Sequence, residues 1–150
     1  MKINIISLLV ILGISISLVL QFLYFSNNPE KSEVYTLLFF VFIIPVIALI
    51  VNMIIIGFLT NDKNKLFMYV VLVSTLYSLT MNILPAFFLK PSILEKIVEN
   101  TPIHDGIDIS LNSGFNFGQA VSTLLFNVFI ALISSFAGYY CNVLRKRVIK

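Results

Sequence analysis

Charge is what this sequence has least of. Charged residues make up 11% of the 150 residues and hydrophobic ones 59%, with a mean hydropathy of +1.00, too few charges to cover the surface of a soluble domain. The scarcity is uneven: no charge falls between Lys2 and Glu30, Glu33 and Asp62, Lys65 and Lys90, or Asp108 and Arg145. Each of these runs exceeds the roughly 20 apolar residues that cross a hydrocarbon core of about 30 Å. The absence of Asp, Glu, Lys, Arg and His from the expected spans argues against a proton-coupled pump or exporter, which needs an ionisable relay inside the membrane.

Cysteine and histidine are nearly absent. Cys141 stands alone, so an internal disulfide and a zinc site of paired cysteines are both excluded. It is expected to be a small apolar side chain near a helix end, with palmitoylation the less favoured reading. His104 with Asp105 and Asp108 is the one cluster with ligand chemistry. The three sit close together on a turn, with no second His or paired Cys to complete a set, so a solvated turn is expected and neither a metal nor another cofactor. No serine has an evident base and no glycine-rich phosphate loop is present, so no catalytic residue is assigned and the protein is expected not to be an enzyme.

What the chain does contain is a four-span pattern. The turn Asn61-Asp62-Lys63-Asn64-Lys65 separates two uncharged stretches and reads as the loop of a membrane hairpin, cytoplasmic by its lysines. The expected fold is an all-α integral membrane protein, one domain of four transmembrane helices at about 3–25, 35–59, 66–89 and 117–144, with an outer loop over 90–116. Lys2, Lys63, Lys65, Arg145, Lys146, Arg147 and Lys150 then lie inside and Lys31, Lys90 and Lys96 outside, which puts both termini in the cytoplasm. The basic excess is thereby a topological signal and not a nucleic-acid one. Span one is too long for a signal-peptide core, lacks a small-residue cleavage site and is expected to stay in the mature protein. Abundant Ile, Asn, Lys and Phe fit an AT-rich bacterial gene, hence a bacterial cytoplasmic (inner) membrane.

Pro45 and Pro85 fall inside spans two and three, where a missing N–H and a ring clash predict kinks. In the outer loop, Ser92-Ile93-Leu94-Glu95 has the form of a capping box. The helix it would open places Ile93, Leu94, Ile97 and Val98 on one face and Glu95, Lys96 and Glu99 on the other, an amphipathic cap whose apolar face needs cover from lipid, bundle or partner. Asp105-Gly106 followed by Ile107, Ile109 and Leu111 predicts a small hairpin or extended cap.

Small and polar residues form helical stripes. Gln119, Thr123, Asn127, Ala131, Ser135, Gly138 and Asn142 share one face of span four; Ser74, Ser78 and Asn82 do so on span three, Pro45, Ala48 and Asn52 on span two, and Gly13, Ser17 and Gln21 on span one. Such faces meet protein, where small residues let backbones approach and amides bond across the gap. Packing is therefore their expected role, and an outer polar pocket of Gln21, Asn82, Gln119 and Asn127 the sharper alternative. Function is expected to be that of a non-enzymatic membrane subunit working through protein contacts, such as an anchor, sensor or immunity and defence component. Those contacts are placed at the outer cap (Ile93, Leu94, Ile97, Val98) and at the basic tail (Arg145, Lys146, Arg147, Lys150), the tail facing a cytosolic protein or anionic headgroups. Homo-oligomerisation is expected in either case. The competing reading is a homo-oligomeric, holin-like pore with the stripes of several copies facing a common axis.

Overall fold

The computed structural model describes residues 2–102 and 116–148, those of 2–11, 14 and 86 by backbone alone. Of the described residues, 90% are helical and none is in a strand. Five helices carry the fold: α1 Lys2–Asn27, α2 Val34–Leu59, α3 Lys63–Phe88, α4 Pro91–Glu99 and α5 Phe117–Val148. Three of them, α2, α3 over Lys63–Pro85, and α5, are long and apolar enough to cross a membrane.

Each break between helices has a local cause. At the end of α1, the Asn28 backbone and side-chain N–H groups both donate to the Tyr24 carbonyl, at 3.0 and 3.1 Å, and Pro29 opens a single 3-10 turn to Lys31, since proline cannot continue the α1 ladder. α2 passes through a π turn at Phe39–Ile43, where the Ile44 N–H reaches back to the Phe39 carbonyl. This widened turn directly precedes Pro45, so the irregularity expected at the proline takes the form of a π bulge. α2 ends where Thr60 turns extended, with its hydroxyl donating to the Ile56 carbonyl at 2.7 Å.

The α2–α3 turn is shorter than the five residues expected. Asp62 is an N-cap whose carboxylate accepts from the Asn64 N–H at 2.9 Å, so Lys63, Asn64 and Lys65 belong to the first turn of α3. The capping box expected at Ser92 does not form either. Pro91 occupies the first helical position of α4 after Lys90, with no side-chain cap, because its fixed φ suits that position and its missing N–H needs no partner there.

α5 packs most extensively on α2 and then on α3, while α1 packs on α3 and α2. α2 and α3 touch each other little despite their short turn. The expected hairpin is therefore splayed, with α5 filling one side of it and α1 the other. Large apolar side chains of α1 (Leu18, Phe22, Phe25), α2 (Leu37, Val41, Leu49, Met53, Ile56) and α3 (Leu66, Val70, Val73) build the core, with Phe22 stacked on Phe88 at 6.3 Å. From α5 the core receives only Ala131; its other buried residues are Asn127, Ser134, Ser135, Gly138 and Asn142. Large apolar side chains of the same helix, Leu125, Phe129 and Ile133, point outward and are exposed.

Candidate functional site: the buried polar seam and the basic end

The small face of α5 brings two backbones into contact. A methyl group built on Gly138 would overlap the Ile54 carbonyl, and one built on Gly57 would overlap the Ser135 carbonyl. The two glycines thus sit reciprocally, each beneath the other helix's main chain, which is how small residues let helices approach. Gly57 is absent from the sequence stripes because it stands five residues beyond Asn52. The signal available was a glycine inside an apolar helix with no turn to serve, which points to close backbone approach.

Along the seam, the Asn127 Nδ2 donates to the Ser78 Oγ at 2.9 Å, buried between α5 and α3. Interhelical bonds of this kind contribute roughly 0.6–2 kcal/mol. The Asn82 Nδ2 turns along its own helix to the Ser78 carbonyl at 2.7 Å. Thr123 bonds back to the Gln119 carbonyl at 2.8 Å, and Gln119 itself is exposed. Ser135 is buried, with its hydroxyl on the Leu132 carbonyl at 3.0 Å. On α1, the Gln21 Nε2 donates to the Ser17 Oγ at 3.2 Å.

These positions divide the four amides of the alternative outer polar pocket. Gln21 belongs to α1 and bonds within it, Gln119 faces outward, and Asn82 and Asn127 are occupied at Ser78. A cavity of about 190 Å³ does open between α3 and α5, but beside Ser78 and Asn82 it is walled by Leu79, Phe117, Ala120, Val121 and Leu124. Its surface is hydrocarbon, suited to apolar contents. Asn52, only 3% exposed, has an Nδ2 with no partner among the described residues, as have the Tyr77 hydroxyl and the Gln21 Oε1. An unmet buried donor costs about 1–3 kcal/mol.

Of the covers open to the outer-loop helix, lipid, bundle or partner, the bundle supplies one. Ile97 is fully buried and Leu94 nearly so, with Ile93 and Val98 partly buried against the same core, so the apolar face of α4 lies against the chain's own bundle. The helix is tied down by the residues that end it and by one ion pair. Thr101 accepts from the Val34 N–H at 2.8 Å and donates to the Ile97 carbonyl at 2.7 Å. The first amide of α2 is thereby capped by a hydroxyl 67 residues away in the chain. Asn100 donates to the Pro29 carbonyl at 2.9 Å, and Lys96 pairs with Glu30 at 3.7 Å.

At the opposite end, the α2–α3 turn and the last turns of α5 interlock. The Asn61 Oδ1 accepts from the Asn142 Nδ2 at 3.2 Å and from the Lys146 Nζ. Lys63 lies over the Tyr139 ring at 6.0 Å and Arg145 over the Phe58 ring at 5.7 Å, contacts worth about 0.5–1 kcal/mol at exposed sites. Arg147 is exposed, and Lys150 lies outside the described residues. Cys141 is exposed.

Set against protein-family models, curated proteins and solved structures, the chain matches none. Its function rests on the geometry alone. Among the described residues no group of three His, Cys, Asp or Glu is placed to hold a metal; His104, Asp105 and Asp108, together with the hairpin expected after them, lie outside those residues.

Proposed function

We propose that this chain is a four-span membrane protein with both termini cytoplasmic, of the bacterial inner-membrane type, and that it acts without catalysis as a subunit working through protein contacts. Three of the spans are the long apolar helices above. The fourth is α1, whose 26 residues extend about 39 Å at the usual helical rise and carry no charge after Lys2. An anchor, sensor or immunity and defence component has this build, which is an argument from architecture alone.

The observation that carries the subunit reading over the pore is where the polar groups point. A pore needs amides and hydroxyls of several copies on a common axis. Here Asn127, Ser78, Ser135 and Asn142 are buried within one chain, in bonds to that chain's own partners, and the large side chains exposed along the middle of α3 (Leu72, Leu76, Leu79) and α5 (Leu125, Phe129, Ile133) are hydrocarbon, while Gln119 and Ser122 are exposed near the start of α5. Among the described residues, charged surface open to a partner is offered by the polar face of α4 (Glu95, Lys96, Glu99) and by the basic end of α5 (Arg145, Lys146, Arg147). The test is release of a trapped dye from vesicles holding the purified protein. No release above that of empty vesicles is expected; release that rises steeply with protein density would replace the subunit by the pore.

A further inference from the structure

We propose that the α2–α3 turn and the end of α5 form a binding site for the phosphate headgroup of an anionic membrane lipid. The proposal rests on the membrane reading above. Five cations, Lys63, Lys65, Arg145, Lys146 and Arg147, converge at this end of the bundle. The one acid beside them, Asp62, is engaged as the N-cap of α3. The ion pair seen among the described residues, Lys96 with Glu30, lies at the opposite end. Positive charge therefore outweighs negative by five side chains to one where the helices leave the bilayer, and each basic residue near an anionic leaflet is attracted to it.

What selects a lipid over an acidic cytosolic protein is the direction in which the cations are held. Lys63 is laid on Tyr139 and Arg145 on Phe58, and Lys146 is tied to Asn61, so all three are drawn back against the rim of the bundle. At the same level the rim exposes hydrocarbon: Leu59 is 41%, Tyr140 54% and Leu144 58% accessible. A phospholipid meets both features at once, with its phosphate among the cations and its acyl chains along Leu59, Tyr140 and Leu144. A cytosolic protein would meet the charges and leave that apolar rim bare.

The test is native mass spectrometry of the detergent-solubilised full chain, offered phosphatidylglycerol and phosphatidylcholine of identical acyl chains. The intact protein is expected to retain the anionic lipid about tenfold or more over the zwitterionic one, from two or three basic contacts. Lys63→Gln with Arg145→Gln is expected to bring the two lipids to parity, while Lys63→Arg with Arg145→Lys keeps the preference and shows by circular dichroism that the helices survive. Lys31→Gln with Lys96→Gln, at the other end, is expected to leave the lipid preference unchanged. Parity in the unmodified protein, as an acidic protein partner would require, overturns the proposal, and so does an equal loss in both glutamine variants. If the chain stays dispersed once detergent is removed, the membrane reading itself fails and the lipid site falls with it, an outcome seen before any lipid is added.

Discussion

At the scale of single residues, the tightest constraint is the reciprocal pair Gly57 and Gly138. Each faces a main-chain carbonyl of the other helix, and backbone cannot swing aside as a flexible side chain can. Gly57→Ala or Gly138→Ala is therefore expected to push α2 and α5 apart, at roughly the 1–3 kcal/mol of overpacking a close-packed core. Leu125→Ala, on the exposed side of α5, should leave thermal unfolding in detergent nearly unchanged. If the glycine and leucine variants melt alike, the backbone contact is misplaced. The sequence made half of this visible: Gly138 lies on the small-residue stripe of α5, and its burial follows from that stripe. Gly57 was hidden because a stripe at steps of three and four steps over it, and Asn61 because a polar residue in a turn ordinarily faces water.

At the scale of elements, what sequence reveals is where a helix exists, and what it conceals is how the ends are tied. The alternation of Ile93, Leu94, Ile97 and Val98 with Glu95, Lys96 and Glu99 announces α4, and the structure buries Leu94 and Ile97 and partly covers Ile93 and Val98. That the bundle, and not a partner, covers it depends on Thr101 and Asn100 reaching the α1–α2 connection, contacts between residues far apart in the chain that periodicity cannot register. Thr101→Val keeps the shape but removes the acceptor for the Val34 N–H. It is expected to lower stability by about 1 kcal/mol, as the loss of a helix cap does. Ile97→Lys places a charge at a fully buried position and is expected to lower the yield of folded protein sharply. An Ile97→Lys protein as stable as the parent would show that α4 lifts off the bundle and that its apolar face is free after all.

At the scale of the molecule, the uncharged runs make the long helices legible, because length and the lack of charge are properties of sequence. Their arrangement is another matter: the short turn after Leu59 suggests that α2 and α3 lie side by side, yet α5 and α1 fill the space between them, chosen by side-chain complementarity and not by loop length. Orientation comes from charge, which the interlocked end concentrates, since Lys63, Lys65, Arg145, Lys146 and Arg147 gather there while Glu30, Lys31, Lys96 and Glu33 lie toward the other end. Basic residues in short loops and flanks are retained in the cytoplasm, so the turn at Asn61 and the end of α5 are expected inside and α4 outside. Single cysteines in a Cys141→Ser background report this directly in intact cells with a membrane-impermeant maleimide. Glu95→Cys, exposed on α4, is expected to label without permeabilisation, and Asn64→Cys, exposed at the start of α3, only after it. Replacing Arg145, Lys146 and Arg147 together by glutamate reverses the charge bias of the last helix and is expected to raise the labelling of a cysteine at Val148 from outside. Labelling of Asn64→Cys in intact cells, with Glu95→Cys protected, would invert the protein and move the basic end to the outer leaflet.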